Sequence, residues 1–167
     1  MVVAAALQAA IFATCAAADE MIPSDHWAFD SFTESGQTYS TAAVMATSRD
    51  NVLEVVCDSG GVYISIAPRK PLTKAVADRG LTLAFDGGAP IAQHWKTGTL
   101  TGGGIGHQDY FEVADKDPQF QPVIDAFKQR REVDVSLTDS GKEVQHQTFT
   151  LNGAPRAIDK VLAACKK

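Results

Sequence analysis

Two β-branched runs joined by a tight turn constrain this chain more than any other feature. Asn51-Val-Leu-Glu-Val-Val-Cys57 leads through Asp58-Ser59-Gly60-Gly61 into Val62-Tyr-Ile-Ser-Ile-Ala67, where the pattern alternates. Alternation with period two sends successive side chains to opposite faces of a sheet. A short Gly-rich turn between such runs makes a hairpin. Tyr39 to Thr47, rich in β-formers and small residues, precedes them across the turn Ser48-Arg49-Asp50-Asn51. Three strands in a row joined by short turns are a meander.

The remaining patterns extend the same theme. Residues 19–36 are polar and turn-rich, with Trp27, Phe29 and Phe32, and read as a lead-in segment with one short strand. Leu81-Thr-Leu-Ala-Phe85, the turn Asp86-Gly87-Gly88 and the stretch Ile91 to Lys96 read as a further hairpin. Tyr110 to Val113 is the next strand. Asp117-Pro118 predicts a helix start, with Pro122 restarting it, and the helix runs through Val123, Ile124 and Phe127. Val133–Leu137 and Gln147–Leu151 alternate on either side of Asp139-Ser140-Gly141. A last helix begins near Pro155, with Ile158, Val161, Leu162 and Cys165 on one stripe. The expectation is a mainly β (α+β) domain: an antiparallel sandwich or partly open barrel, a short internal helix and a C-terminal helix.

Residues 2–18 carry no charge and end in Ala16-Ala17-Ala18 before Asp19-Glu20. That matches the apolar and cleavage regions of a secretory signal peptide. The basic start such peptides carry is missing, so the expectation is that the true start lies upstream of Met1. The division expected is 1–18 signal peptide and 19–167 one β-rich domain, large enough for a single core. A membrane anchor is the alternative, but the run is short, broken by Gln8 and rich in Ala rather than Leu. Lipidation at Cys15 is another, on a poor acceptor box. Export places the mature chain in the periplasm or outside the cell, with no membrane span.

Removal of the leader takes Cys15 with it and leaves Cys57 and Cys165. In an oxidising compartment, one disulfide is the simplest reading of such a pair. A redox-active pair normally has C-x-x-C spacing, which is absent. Cys165 falls on the buried stripe of the last helix and Cys57 at a strand end, so the bridge would hold that helix against the sheet.

Val52-Leu-Glu-Val-Val-Cys57-Asp-Ser-Gly-Gly, with the closing Phe149-Thr-Leu-Asn-Gly153-Ala-Pro-Arg-Ala-Ile158-Asp-Lys-Val161-Leu-Ala-Ala-Cys165, resembles a domain of exported proteobacterial proteins. It is similar to the periplasmic type VI secretion-associated family and the invasion-associated locus B family. The likeness covers the meander and the last strand and helix. It implies an exported β-rich domain with a bridge, acting by contact rather than catalysis; no recognition residue carries over.

The net charge of -5, with dispersed basic residues, argues against nucleic acid as a partner. His26, His94, His107 and His146 show no metal-ligand spacing. Neither a nucleophile elbow nor a phosphate loop is present, since Thr101-Gly-Gly-Gly-Ile-Gly106 lacks a lysine and a following helix. No catalytic residue, cofactor or metal is therefore expected. The reading favoured is a non-enzymatic domain that binds an envelope or secreted protein through loops, with Trp95, Gly103, Gly104, His107 and Tyr110 as candidate contacts. The core is the competing place for those aromatics. The alternative function is a small periplasmic enzyme or metal-binding protein using His107 and Asp109, which share a strand face, with His94 nearby.

Overall fold

Local pairing governs the first half of the chain. The computed structural model describes residues 22–34, 36–68, 79–101, 107–139 and 141–166. Strands β1 (Ala28–Glu34), β2 (Gln37–Met45), β3 (Asn51–Asp58) and β4 (Gly61–Pro68) each pair antiparallel with the next. Gly61 at the β3–β4 turn has φ +126°, a conformation that a Cβ would strain. The expected meander is present, with one strand added at its front.

The chain then alternates between two sheets. Strands β5 (Arg79–Phe85) and β6 (Ile91–Gln93) belong to the second sheet, while the hairpin of β7 (Lys96–Thr101) and β8 (His107–Ala114) returns to the first. Helix α1 (Phe120–Gln129), the hairpin of β9 (Glu132–Asp139) and β10 (Lys142–Thr150), and helix α2 (Ala154–Cys165) complete it. The orders are β1-β2-β3-β4-β8-β7 and β10-β9-β5-β6. Among the described residues, two open antiparallel sheets and two helices make a sandwich, not a closed barrel.

The core lies between the sheets. Leu53, Val55, Ile64, Ile66 and Phe111 from the first meet Leu83, Val135, Leu137 and Phe149 from the second, with Ile124, Phe127, Ile158 and Val161 from the helices. Each such side chain contributes about 1.5–3 kcal/mol on leaving water. Trp27 closes one end: its indole N–H donates to the Thr150 carbonyl at 2.8 Å and its ring lies 5.9 Å from that of Phe127.

Three expectations shift in detail. The stretch Ile91 to Lys96 is not one strand: β6 stops at Gln93, and Lys96 opens β7 in the other sheet. Helix α1 starts at Phe120, because Asp117 accepts the Gln119 N–H on Oδ1 at 2.8 Å and the Phe120 N–H on its carbonyl at 3.0 Å, forming a turn first. Pro122 sits within the first turn of that one helix, where its missing N–H costs nothing.

Helix α2 begins after Gly153, whose φ of +78° is readily reached only without a Cβ. Its apolar stripe buries Ile158 and Val161, and Cys165 bonds to Cys57 of β3 with Cα atoms 5.7 Å apart. Lys128 of α1 reaches Asp159 of α2 at 2.5 Å.

Candidate functional site

The strongest polar feature between the sheets sits at the base of the β7–β8 hairpin. Along β8, alternation turns Asp109, Phe111 and Val113 into the sandwich, and all three are buried. A carboxylate there must be compensated. Arg79, the first residue of β5 in the opposite sheet, places Nη1 2.8 Å from Asp109 Oδ1, with side-chain exposures of 1% and 0%. The same nitrogen lies 3.4 Å from the Gly98 carbonyl of β7. Asp139 of β9, buried as well, stands opposite Arg79 in register.

This arrangement links three strands of two sheets. Arg79 holds β8 directly and reaches towards β7, so the hairpin base is fixed to the second sheet. Chemically it resembles a buttress more than an acid–base pair. Asp109 is matched by a guanidinium, which only donates hydrogen bonds and offers no acceptor. Among the described residues, no group of three or more His, Cys, Asp or Glu is disposed to hold a metal.

The residues singled out from the sequence separate. His107 opens β8 opposite Thr101, two positions before Asp109, but its side chain lies outside the described residues, as do Gly103 and Gly104. Trp95 is a core side chain, 7% exposed, whose indole N–H donates to Gln93 Oε1 at 3.2 Å. Tyr110 points the other way, half-buried on the outward face, with its ring over Gly98 on the paired strand. A Cβ at position 98 would collide with that ring. His94 is exposed in the β6–β7 link, and its backbone N–H donates to Gln119 Oε1 at 3.0 Å. His26 pairs with Asp25, while His146 contacts Ser136 at 2.9 Å. These three histidines sit on different elements.

A second polar set went unread in the sequence. Across the first sheet, Glu54 of β3 stands opposite Ser65 of β4, Ser65 opposite Glu112 of β8, and Glu112 opposite Lys96 of β7. Alternation assigns this row to the outward face, where glutamate is normally solvated. Glu54 is instead buried, which pushes its carboxyl up to about 7 despite a hydrogen bond from Ser65. Burial also raises Glu112, against the pull of Lys96. Tyr63, beside them, is raised by burial and then by the charges of Glu54, Asp58 and Glu112. Only the polar residues Glu54 and Ser65, each set between apolar neighbours in a β run, could have drawn attention to it.

No family model, curated protein or solved structure matches the chain.

Proposed function

We propose that this is an exported domain, periplasmic or secreted, that acts by binding an envelope or secreted protein rather than by catalysis. Residues 1–18 are the leader in this reading and 19–167 the domain. The resemblance of the meander and the closing helix to exported proteobacterial families supports it, as does the disulfide between those two segments. The observation that carries it is the Arg79–Asp109 pair. A buried ion pair at the foot of a hairpin fixes the strands on either side of residues 102–106, and a fixed base lowers the ordering cost of binding. The contacts proposed are Gly103, Gly104, His107 and Tyr110 at and beside the tip, with Trp95 holding the hairpin from the core side.

The test is capture of envelope proteins on the mature domain, set against a variant with Gly103→Asp, Gly104→Asp and His107→Ala. A reproducible partner lost in the variant, at unchanged thermal stability, is the expected result. Equal capture by both would remove the loop from the reading. Stoichiometric zinc or copper in purified protein would instead favour the His107/Asp109 alternative.

A further inference from the structure

Among the described residues the two sheets end in four edge strands, and three of these edges are blunted. A strand edge is a row of unpaired N–H and C=O groups, which proteins protect with short strands, Pro, Lys, bulges or cover. β6 has three residues, follows Pro90, and its Ile91 carbonyl takes the Gln93 side-chain amide at 3.3 Å. β10 starts at Lys142 and shifts register between Glu143 and Gln145. Its Thr148 carbonyl accepts the Thr47 N–H and Oγ1 at 3.1 and 3.0 Å. β7 starts at Lys96 and turns its Gly98 carbonyl towards Arg79. β1 has none of these devices. It pairs with β2 at all seven positions without a shift and contains no Pro, Lys or Arg.

Two hydrogen bonds set the backbone phase of β1. In an antiparallel pair, residues that bond to the partner alternate with residues whose N–H and C=O point away from it. Trp27 gives its N–H to the Asn152 carbonyl at 2.9 Å, and the Ser31 N–H goes to Asp30 Oδ1 at 2.7 Å, neither into β2. Phe29 and Thr33 share that phase. Phe29, Ser31 and Thr33 therefore line the outer edge, and no strand pairs with it among the described residues. Helix α2 lies to one side, with Lys160 Nζ 5.1 Å from the centre of the Phe29 ring. Alternation puts Asp30 and Phe32 on the other side. Asp30 is exposed there, and Phe32 is half-buried, its ring stacked 5.3 Å from that of Tyr39.

We propose that the outer edge of β1 takes an extended segment of a partner protein, one that carries lysine or arginine level with Asp30 and an apolar residue level with Phe32. Main-chain bonds to Phe29, Ser31 and Thr33 supply the attachment, and side chains at alternate positions supply the selectivity. Docking exchanges one bond for two. The Ser31 N–H passes from Asp30 to a carbonyl of the segment, and the released carboxylate pairs with the segment's cation. A second copy fits less well. Paired antiparallel about Ser31, two β1 strands set their Asp30 carboxylates diagonally across from each other, between chains of net charge -5. β1 and β7 lie at opposite ends of the six-stranded sheet, so this proposal does not rest on the role of the β7–β8 loop.

The experiment titrates the isotope-labelled full chain with the peptide Thr-Lys-Thr-Val-Thr-Lys-Thr, blocked at both ends, and follows backbone amides by NMR. Saturable shifts should concentrate in residues 28–34 and in β2, and the Ser31 and Thr33 amides should exchange more slowly with peptide bound. Asp30→Lys should weaken binding about tenfold and favour the same peptide with Glu in place of both Lys. Ser31→Pro removes an outward donor at a place where an edge strand accepts proline, at the cost of the Oγ contacts with Tyr39 and Ser40. It should abolish binding in a chain that still folds; Asp30→Lys, at an exposed site, carries the test if it does not. Absence of saturable shifts, shifts centred outside β1 and β2, or equal affinity in Asp30→Lys would overturn the proposal. So would a wild-type dimer that Asp30→Lys or Ser31→Pro dissociates, since a second copy would then fill the edge. The Gly103→Asp/Gly104→Asp/His107→Ala variant should bind the peptide like wild type, so the edge and loop readings fail separately.

Discussion

Glu54 shows how far one side chain can set the pH behaviour of a domain. Burial raises its folded-state value to about 7 from an ordinary 4.5. An acid raised on folding favours the folded state only while protonated. Its contribution is therefore complete below about pH 4.5, declines as pH rises to about 7, and is flat above. A shift of that size corresponds to roughly 3 kcal/mol. Glu112, also raised, acts in the same direction. Urea unfolding of wild type and Glu54→Gln at pH 4.5 and pH 8 isolates the effect. The wild type should lose on the order of 3 kcal/mol relative to the variant between the two conditions; parallel curves would refute the assignment. Arg79 and Asp109 make a different residue-scale case. Removing either partner takes from the other its close opposite charge in a buried setting, so Arg79→Met or Asp109→Leu should each cost about 3–5 kcal/mol. The double replacement should cost clearly less than the sum, because the pair is broken once rather than twice. Strict additivity in denaturant midpoints would mean the two do not interact.

At the scale of elements, the last helix and the β7–β8 hairpin depend on different devices. A terminal helix of twelve residues is marginal alone, and α2 is held by its apolar stripe and by the bond to β3. The bridge spans 108 residues of sequence, so its loss should destabilise strongly. Cys165→Ser is expected to cost about 2–5 kcal/mol, with faster amide exchange concentrated in residues 154–165. The hairpin relies on close approach instead. Tyr110 occupies the space a side chain at position 98 would need. Gly98→Val should destabilise by about 1–3 kcal/mol through overpacking, and Tyr110→Ala in the same chain should recover part of the loss. An unchanged unfolding midpoint in Gly98→Val would show that the ring swings aside freely.

Over the whole molecule, Cys57 and Cys165 should resist alkylation until reduction, which intact-mass measurement reads directly. The bond, the two sheets and the helices were legible in the sequence to different degrees. Residues 51–67 announced their strands, turn and pairing, because period-two alternation and a Gly turn act between neighbours in the chain. The stripe from Ile158 to Cys165 likewise announced α2, and the cysteine count pointed to its bond. β7 was hidden: Lys96-Thr-Gly-Thr-Leu-Thr101 carries weak alternation and takes its place only by pairing with β8. The pairing of β5 with β9, sixty residues apart at Arg79 and Asp139, had no local signal either. The sequence by itself determined where strands, turns and helices form and which cysteines remain to pair. Tertiary structure alone decided that Arg79 meets Asp109, that Trp95 turns into the core while Tyr110 turns out, and that Glu54 is dry. The reason is physical: alternation distinguishes the two faces of a strand, but what covers each face depends on segments distant in the chain.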